Sequence, residues 1–329
     1  MTELSVLDLS PIIEGGTASD ALANSRSLAQ HAEKLGYLRY WVAEHHNMRG
    51  IASAATAVLI GHIAGGTHTI RVGAGGIMLP NHAPLMVAEQ FGTLEALYPG
   101  RIDLGLGRAP GTDGVTAQAL RRTMHSDPNQ FPQDVVELRQ YLQDIQPGQQ
   151  VSAVPGYSSN VPLYILGSSL FGAQLAAVLG LPFAFASHFA PAAMMQAIEI
   201  YRNEFDPSEQ LDKPYVLLGY NICAADTEAE AIYLRTSSLQ AFLNLRFGNP
   251  GQLPAPLENF EATLNAQQQQ VLAQVSSASS VGTAEQVRED VKGFIDLTSA
   301  DELIVVAQIY DHQARIRSYE IAKEACSGL

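Results

Sequence analysis

The chain has 329 residues, 47% of them hydrophobic, and a formal net charge of −14. This length allows one large domain or two small ones, and the acidic balance without a lysine–arginine cluster argues against a general nucleic-acid binder. Two cysteines are too few for a disulfide framework, and neither a signal peptide nor a bilayer-length apolar run is evident. We therefore expect a cytoplasmic protein that binds neither nucleic acid nor membrane.

Strands and helices alternate along the chain, which is typical of a parallel sheet covered by helices. Strands are predicted over residues 4–9, 37–42, 69–73, 102–106, 162–166, 182–186, 215–222 and 303–306. Helices are predicted over residues 19–34, 53–64, 84–97, 132–144, 171–179, 190–205, from 227 and over 312–325, with a further helical segment near 117. Eight such units predict an α/β fold, specifically a (β/α)8 TIM barrel.

An open doubly wound sheet also alternates strands and helices, so its dinucleotide-binding signature is the feature that distinguishes it. Residues 10–16, after the first strand, lack the Gly-x-Gly-x-x-Gly spacing. Gly105 and Gly107 are not followed by the third glycine, because Pro110 stands in its place. The barrel is the better prediction.

Residues 242–280 do not fit the alternation. This segment contains several prolines, four consecutive glutamines and a serine cluster. We interpret it as an insertion after the seventh strand, within a single barrel domain spanning residues 1–329. It is either a lid over the site or a disordered surface loop.

The predicted helix within residues 51–64 is apolar on nearly every face. A helix on the outside of a barrel with that pattern needs a second partner, which predicts a subunit interface and a homodimer. His62 within it is expected to be a buried core histidine.

The fourth predicted strand ends at a single arginine. Gly105 and Gly107 lack side chains, so a backbone or a flat ligand can approach closely. Arg108 follows, and a guanidinium suits bidentate binding of a phosphate or a carboxylate. The alternative is a buried strand that ends in a solvated arginine.

Gly167, Ser168 and Ser169 precede the fifth helix. Backbone N–H groups at a helix N-terminus, with serine hydroxyls beside them, form a phosphate site. One serine could instead be only an N-cap. Together with Arg108, the phosphate site is the favoured interpretation.

Histidines occur at several strand ends, including His45 and His46 after the second strand. Adjacent residues on an extended chain point to opposite faces, so one metal could rarely bind both. No His-x-His or His-Glu-x-x-His motif is present, and we expect no metal. An inward histidine suits acid–base chemistry or hydrogen bonding, whereas a histidine that only orders the loop is the alternative.

Five segments occur in the same order as in the bacterial luciferase-like flavin-dependent monooxygenases, and the chain resembles that family over nearly its whole length. They are VAEHH (42–46), VGAGGIMLP (72–80), GRIDLGLGR (100–108), YILGSS (164–169, with GLP at 180–182) and VGTAE (281–285). Within the family, the chain is most similar to bacterial members whose fourth strand ends Gly-Arg-Ala-Pro-Gly-Thr-Asp.

The resemblance implies a luciferase-like barrel that uses reduced FMN. It assigns the flavin phosphate to Arg108 and Ser169, with Gly167 and Ser168 beside them. It also implies a non-prolyl cis peptide at Gly75–Gly76 under the isoalloxazine ring. His45 matches the histidine whose imidazole assists the chemistry.

The implied activity is a monooxygenase that acts on paired donors with incorporation of molecular oxygen. Reduced FMN would react with O2 to a C4a-(hydro)peroxyflavin, which oxidises a small organic substrate. Because no dinucleotide fingerprint is present, a separate flavin reductase is expected to supply the reduced FMN.

The chain also departs from the luciferases. Ser168 replaces a glutamate of their phosphate site, Gly107 stands where they have a reactive cysteine, and segment 242–280 does not resemble their mobile loop. Flavin binding is therefore better supported than light emission. The alternatives are an F420-dependent dehydrogenase with the same fold and a non-catalytic flavin-binding protein.

Overall fold

The computed structural model describes residues 2–109, 114–120, 128–273 and 276–329. Pro110, where the sequence lacks the third glycine, lies outside these ranges. In the described residues no helix is both long enough and apolar enough to cross a membrane.

The described residues form nine strands, all paired in parallel. They are β1 (Glu3–Asp8), β2 (Arg39–Val42), β3 (Arg71–Met78), β4 (Ile102–Gly107), β5 (Leu163–Gly167), β6 (Phe183–Phe185), β7 (Val216–Ala224), β8 (Ser279–Gly282) and β9 (Glu302–Val306). Strands β1 to β7 pair in sequence, β7 pairs with β9, and β9 pairs with β1. The sheet is thus a closed eight-stranded barrel, which confirms the predicted fold.

Helices follow the strands as predicted, apart from the helix over Ala284–Thr298, which matches no predicted helix. They are α1 (Ala18–Leu35), α2 (Thr56–Ala64), α3 (Pro84–Leu97), α4 (Gly114–Leu120), α5 (Phe131–Leu142), α6 (Leu170–Leu179), α7 (Met194–Asn203), α8 (Glu228–Arg246), α9 (Ala266–Ala273), α10 (Ala284–Thr298) and α11 (His312–Ala325). Apolar side chains of the strands and helices pack together as the main core. Burial of this apolar surface is the dominant stabilising contribution to such a fold.

Two strands differ from the prediction. β3 continues to Met78, beyond the predicted end at residue 73, because it resumes pairing with β4 after a register shift between Ala74 and Ile77. β8 is additional, and it pairs with Asn221–Ala224 at the end of β7. Its four residues are too short and too polar to show a strand pattern in the sequence.

A buried polar network closes the amino end of the barrel. Arg39, the first residue of β2, lies 2.8 Å from Asp103 of β4 and 2.8 Å from Glu302 of β9. Above it, Trp41 and Tyr164 pack edge to face in the lumen. Because the amino end is filled in this way, a ligand has to approach from the carboxyl end of the strands.

Segment 242–280 contains the end of α8, a short 3-10 helix over Phe260–Thr263, and α9. Leu253 in this segment exchanges backbone hydrogen bonds of 2.9 Å with Ile12 and Glu14, in the loop after β1. At the other end, the Arg246 guanidinium lies 4.6 Å from the ring of Phe189, in the loop after β6. The segment therefore contacts two loops at the carboxyl ends of the strands.

The helix predicted over 53–64 begins at Thr56, and His62 is exposed rather than buried, so the prediction of a core histidine is wrong. His62 lies on the outward side of α2, where Val58 is 76% exposed. The chain thus leaves part of an apolar helix uncovered. The homodimer stays a prediction.

Candidate active site

Arg108 and the Gly167–Ser169 turn lie side by side at the carboxyl edge of the barrel. β4 and β5 are neighbours, and Gly107 pairs with Leu166, so the residues that follow them are adjacent. The Arg108 guanidinium lies 4.1 Å from the centre of the Phe171 ring in the first turn of α6. Arg108 and the Gly167–Ser169 turn, 59 to 61 positions apart in the sequence, therefore converge on one helix N-terminus.

This N-terminus has the donors that an anion requires. Ser169 occupies the N-cap position in an extended conformation, but its side chain makes no capping hydrogen bond. Among the described residues, Arg108 forms no ion pair. A guanidinium, a serine hydroxyl and the first N–H groups of a ten-residue helix are the groups that bind a phosphate.

Three glycines form a surface without side chains next to this turn. A cis peptide bond joins Gly75 and Gly76, as the resemblance implied. A Cβ on Gly76 would lie 2.7 Å from the carbonyl oxygen of Gly105, and one on Gly107 would lie 2.8 Å from Sδ of Met78. A side chain at Gly76 would collide with the backbone of β4, and one at Gly107 would require the Met78 side chain to move.

His45 is half-buried in the loop after β2 and lies near His188 in the loop after β6. Burial, with a smaller contribution from His45, lowers the pKa of His188 to about 4. Nδ1 of His188 has no hydrogen-bond partner in the described part of the chain. The ring packs over Gly219 of β7, where a Cβ would lie 2.0 Å from Nδ1. His188 is therefore a neutral imidazole at neutral pH.

A second group of polar residues meets at the ends of β2 and β3. Oε1 of Glu44 lies 2.7 Å from Nε2 of His46 and 2.9 Å from Nε2 of His82. Oε2 of the same carboxylate accepts the backbone N–H of Met78 at 3.0 Å. Burial favours a raised pKa for Glu44, but the hydrogen bonds from His82, His46 and Met78 outweigh it and the pKa is lowered. Glu44 is thus an ionised carboxylate although only 1% of it is exposed.

The sequence did not predict this grouping, because only the adjacent pair His45–His46 was considered as possible metal ligands. The three side chains of Glu44, His46 and His82 place possible metal-ligand atoms within 4.8 Å of one another. The separation of two between Glu44 and His46 was a usable signal, since such residues share a side of an extended chain. His82 is 38 residues further on and could only be placed by the register of β2 and β3.

Known proteins resemble the whole chain. Residues 2–300 match the family model of the luciferase-like monooxygenases. A protein of Escherichia coli K12 named luciferase-like monooxygenase is 54% identical, over 97% of this chain and 96% of that protein. The N-acetyl-S-alkylcysteine monooxygenase of Bacillus subtilis 168 is 32% identical, over 99% and 98% of the two chains.

Solved structures share the architecture. Apo-MsnO8 superimposes with a TM-score of 0.87 and 34% identity, over 99% of this chain and 98% of that one. The oxygenating constituent of 3,6-diketocamphane monooxygenase from Pseudomonas putida, in complex with FMN, shares the fold with a TM-score of 0.74 at 16% identity, over 100% and 98%. So does an F420-dependent secondary alcohol dehydrogenase, with a TM-score of 0.71 at 15% identity, over 98% of each chain. The barrel, the matched residues and the full-length relatives together show that the chain belongs to the luciferase-like monooxygenase family.

Proposed function

We propose that this protein is an FMN-dependent monooxygenase that takes up reduced FMN and O2 at the carboxyl end of the barrel. The observation that carries the proposal is the Arg108 guanidinium stacked beside the N-terminus of α6, with the hydroxyl of Ser169 unused for capping. Reduced FMN, when bound, supplies two electrons to dioxygen, so that one oxygen atom enters the substrate and the other leaves as water.

The binding residues divide between the phosphate and the ring of the flavin. Arg108, Ser169 and the backbone of Gly167 and Ser168 would hold the phosphate. Its charge is complementary to the guanidinium and to the positive end of α6.

Gly75 and Gly76 would lie under the isoalloxazine ring, and Gly107 beside it. A Cβ at Gly75, Gly76 or Gly107 would lie 2.7–2.8 Å from a neighbouring protein atom. A flat ring would rest on the backbone that these glycines leave without side chains.

His45 would hold or move a proton at the reacting end of the flavin. A half-buried imidazole suits this role because its ordinary pKa lies near neutrality. The pKa of the neighbouring His188 is lowered to about 4, so that ring adds no positive charge beside His45 at neutral pH.

Segment 242–280 would cover the mouth when substrate is bound. Its contacts with the loops after β1 and β6, which follow the carboxyl ends of the strands, support this role. Covering the mouth would exclude water, which is the protein's main contribution to a reaction carried out by the cofactor.

The substrate would be a small organic molecule. The Bacillus relative is named for N-acetyl-S-alkylcysteines, and a thioether of that class is the first compound to test. A separate flavin reductase would supply reduced FMN, and the exposed apolar side of α2 would join two copies of the chain.

The test is a comparative titration of the purified protein with FMN, riboflavin and F420, followed by oxygen-uptake measurements with chemically reduced flavin. We expect FMN to bind more tightly than riboflavin, and reduced FMN to consume O2 with a transient absorbance distinct from both flavin redox states. Preference for F420 would indicate the dehydrogenase. Tight FMN binding without a transient and without substrate-dependent oxygen use would indicate a non-catalytic flavin protein.

A further inference from the structure

We propose that Glu44, His46 and His82 form a binding site for one divalent transition-metal ion at the carboxyl ends of β2 and β3. The ion would bind Oε1 of the carboxylate and Nε2 of each imidazole, with water in the remaining coordination positions. Two imidazoles and a carboxylate are ligands that suit zinc or iron, whereas magnesium and calcium prefer oxygen ligands alone. All three ligand atoms belong to the protein, so the site does not depend on bound flavin.

The three ligand atoms already lie close together. Nε2 of His46 lies 2.7 Å and Nε2 of His82 lies 2.9 Å from Oε1 of Glu44, and all three atoms lie within 4.8 Å of one another. Two ligands that are each about 2.0–2.1 Å from an ion, at a right angle to each other, are about 2.8–3.0 Å apart. The observed separation of each nitrogen from the carboxylate oxygen is therefore close to that of neighbouring ligands around one ion.

The backbone holds the carboxylate in position. Met78 donates its N–H to Oε2 of Glu44 at 3.0 Å, which leaves Oε1 to face the two histidines. Carboxylates that bind metals are regularly hydrogen-bonded in this way, because the bond fixes the direction of the ligating oxygen. Glu44 is buried, so its carboxylate has this direction before an ion arrives.

Glu44 differs from the other buried carboxylates in what balances its charge. In the described ranges the other three each lie 2.7–2.8 Å from a buried arginine: Asp8 from Arg315, and Asp103 and Glu302 from Arg39. Glu44 has no arginine or lysine partner in those ranges, and its two side-chain partners are imidazoles. Buried charges in proteins are paired with an opposite charge or coordinate a metal. A cation between Glu44 and the two histidines would supply the missing positive charge.

The histidines leave a path for the ion from solvent. The side chain of His46 is 15% exposed and that of His82 is 30% exposed, whereas the carboxylate between them is covered. An arriving ion replaces the two N–H···O hydrogen bonds with bonds to the same three atoms, and each neutral ring then carries its hydrogen on Nδ1. Three protein ligands with water are typical of open zinc centres, whereas closed structural centres have four protein ligands.

The ion would join two loops at the mouth of the barrel. Glu44 and His46 follow β2, and His82 follows the 3-10 turn Leu79–Asn81 at the end of β3. These residues are brought together only when β2 and β3 pair in the folded barrel. The ion should therefore bind the folded state in preference to the unfolded chain, and its binding should raise the stability of the protein.

Titration calorimetry with ZnCl₂ tests the site on the flavin-free protein, after treatment with EDTA and removal of the chelator. We expect the wild type to bind one Zn²⁺ per chain. Loss of a residue that only orients a ligand costs about 10–100-fold in metal affinity, so His82→Asn and His46→Asn should each bind at least about 100-fold more weakly. His68→Asn is the matched control, because it removes an exposed histidine from another loop, and it should bind Zn²⁺ as the wild type does.

Three results of this titration would overturn the proposal: no Zn²⁺ binding by the wild type, wild-type affinity in His82→Asn, or an equal loss of affinity in His68→Asn. The melting temperature of each protein, followed by circular dichroism, provides a second readout. Zn²⁺ should raise it in the wild type and in His68→Asn but not in His82→Asn. A cooperative transition of the ion-free His82→Asn protein shows that this variant is folded, so that its weaker binding reports the missing ligand.

X-ray absorption at the zinc edge is measured on the wild-type protein and needs no variant. We expect the scattering of two imidazoles, with nitrogen and oxygen ligands about 2.0–2.2 Å from the ion. A sulfur ligand, or a set of ligands without imidazole, would show that the ion binds elsewhere and would overturn the proposal. Because none of these measurements uses flavin, failure of FMN to bind would disprove the proposed function and leave the metal site intact.

Discussion

Replacing Arg108 with alanine should weaken FMN binding and leave riboflavin binding nearly unchanged. A hydrogen bond to a charged group contributes about 1.5–3 kcal/mol. Because Arg108 is half-buried, the lower half of that range applies. At about 1.4 kcal/mol for each factor of ten, the Kd for FMN should rise roughly 10- to 40-fold.

The assay is quenching of flavin fluorescence, titrated in parallel with FMN and with riboflavin, which has the same ring without the phosphate. Arg317→Ala is the matched control, since Arg317 is exposed and pairs with Asp226 on the outside of the barrel. A surface ion pair of this kind contributes little to stability. The control should bind both flavins with wild-type affinity.

Arg108→Ala also removes the contact of the guanidinium with the Phe171 ring. We expect the loss of this contact to lower the affinity for both flavins by the same small amount. The decisive quantity is the ratio of the two Kd changes. Equal losses for FMN and riboflavin would refute the assignment of Arg108 to the phosphate, and so would an unchanged FMN affinity.

Three further predictions concern the histidines of the mouth. His45→Ala should leave the Kd for FMN within about twofold of the wild-type value in fluorescence titration, while changing the decay rate of the transient absorbance followed by stopped-flow. A large loss of FMN affinity would contradict the proposed role of His45. Because the folded pKa of His188 lies near 4 and its ordinary value is 6.5, the stability that its neutral form contributes is complete above pH 6.5 and lost as the pH falls towards 4. Between pH 7 and pH 5, the free energy of unfolding measured in urea should therefore fall by about 1–2 kcal/mol less in His188→Asn than in the wild type. Parallel pH curves for the two proteins would contradict this. Gly219→Ala should destabilise the protein by about 1–3 kcal/mol because its Cβ would meet His188, and a second change, His188→Ala, should recover part of that loss; no recovery would mean that the strain lies elsewhere.

The fold could be predicted from the sequence because its periodicity is local. Each strand shows as a short apolar or alternating run, and each is followed by a helix of sufficient length. Eight repeats of that unit leave few alternatives to a barrel. β8 was missed because its pairing depends on the end of β7 rather than on its own side chains.

The arrangement of the candidate site could be predicted in part, and the reason lies in the geometry of neighbouring strands. Arg108 and Ser169 follow consecutive barrel strands, so a barrel prediction already places them at the same edge. The contact of Glu44 with His82 depends on how far β3 continues and on the turn at Leu79, which no local pattern specifies. His62 was predicted wrongly because an apolar helix does not show which of its sides faces the barrel.

A crystal structure of the protein with FMN tests the central claim most directly. The phosphate should lie between the guanidinium of Arg108 and the N-terminus of α6, within hydrogen-bond distance of the Ser169 hydroxyl, with the ring over Gly75 and Gly76. A phosphate bound at any other place on the molecule would contradict the account.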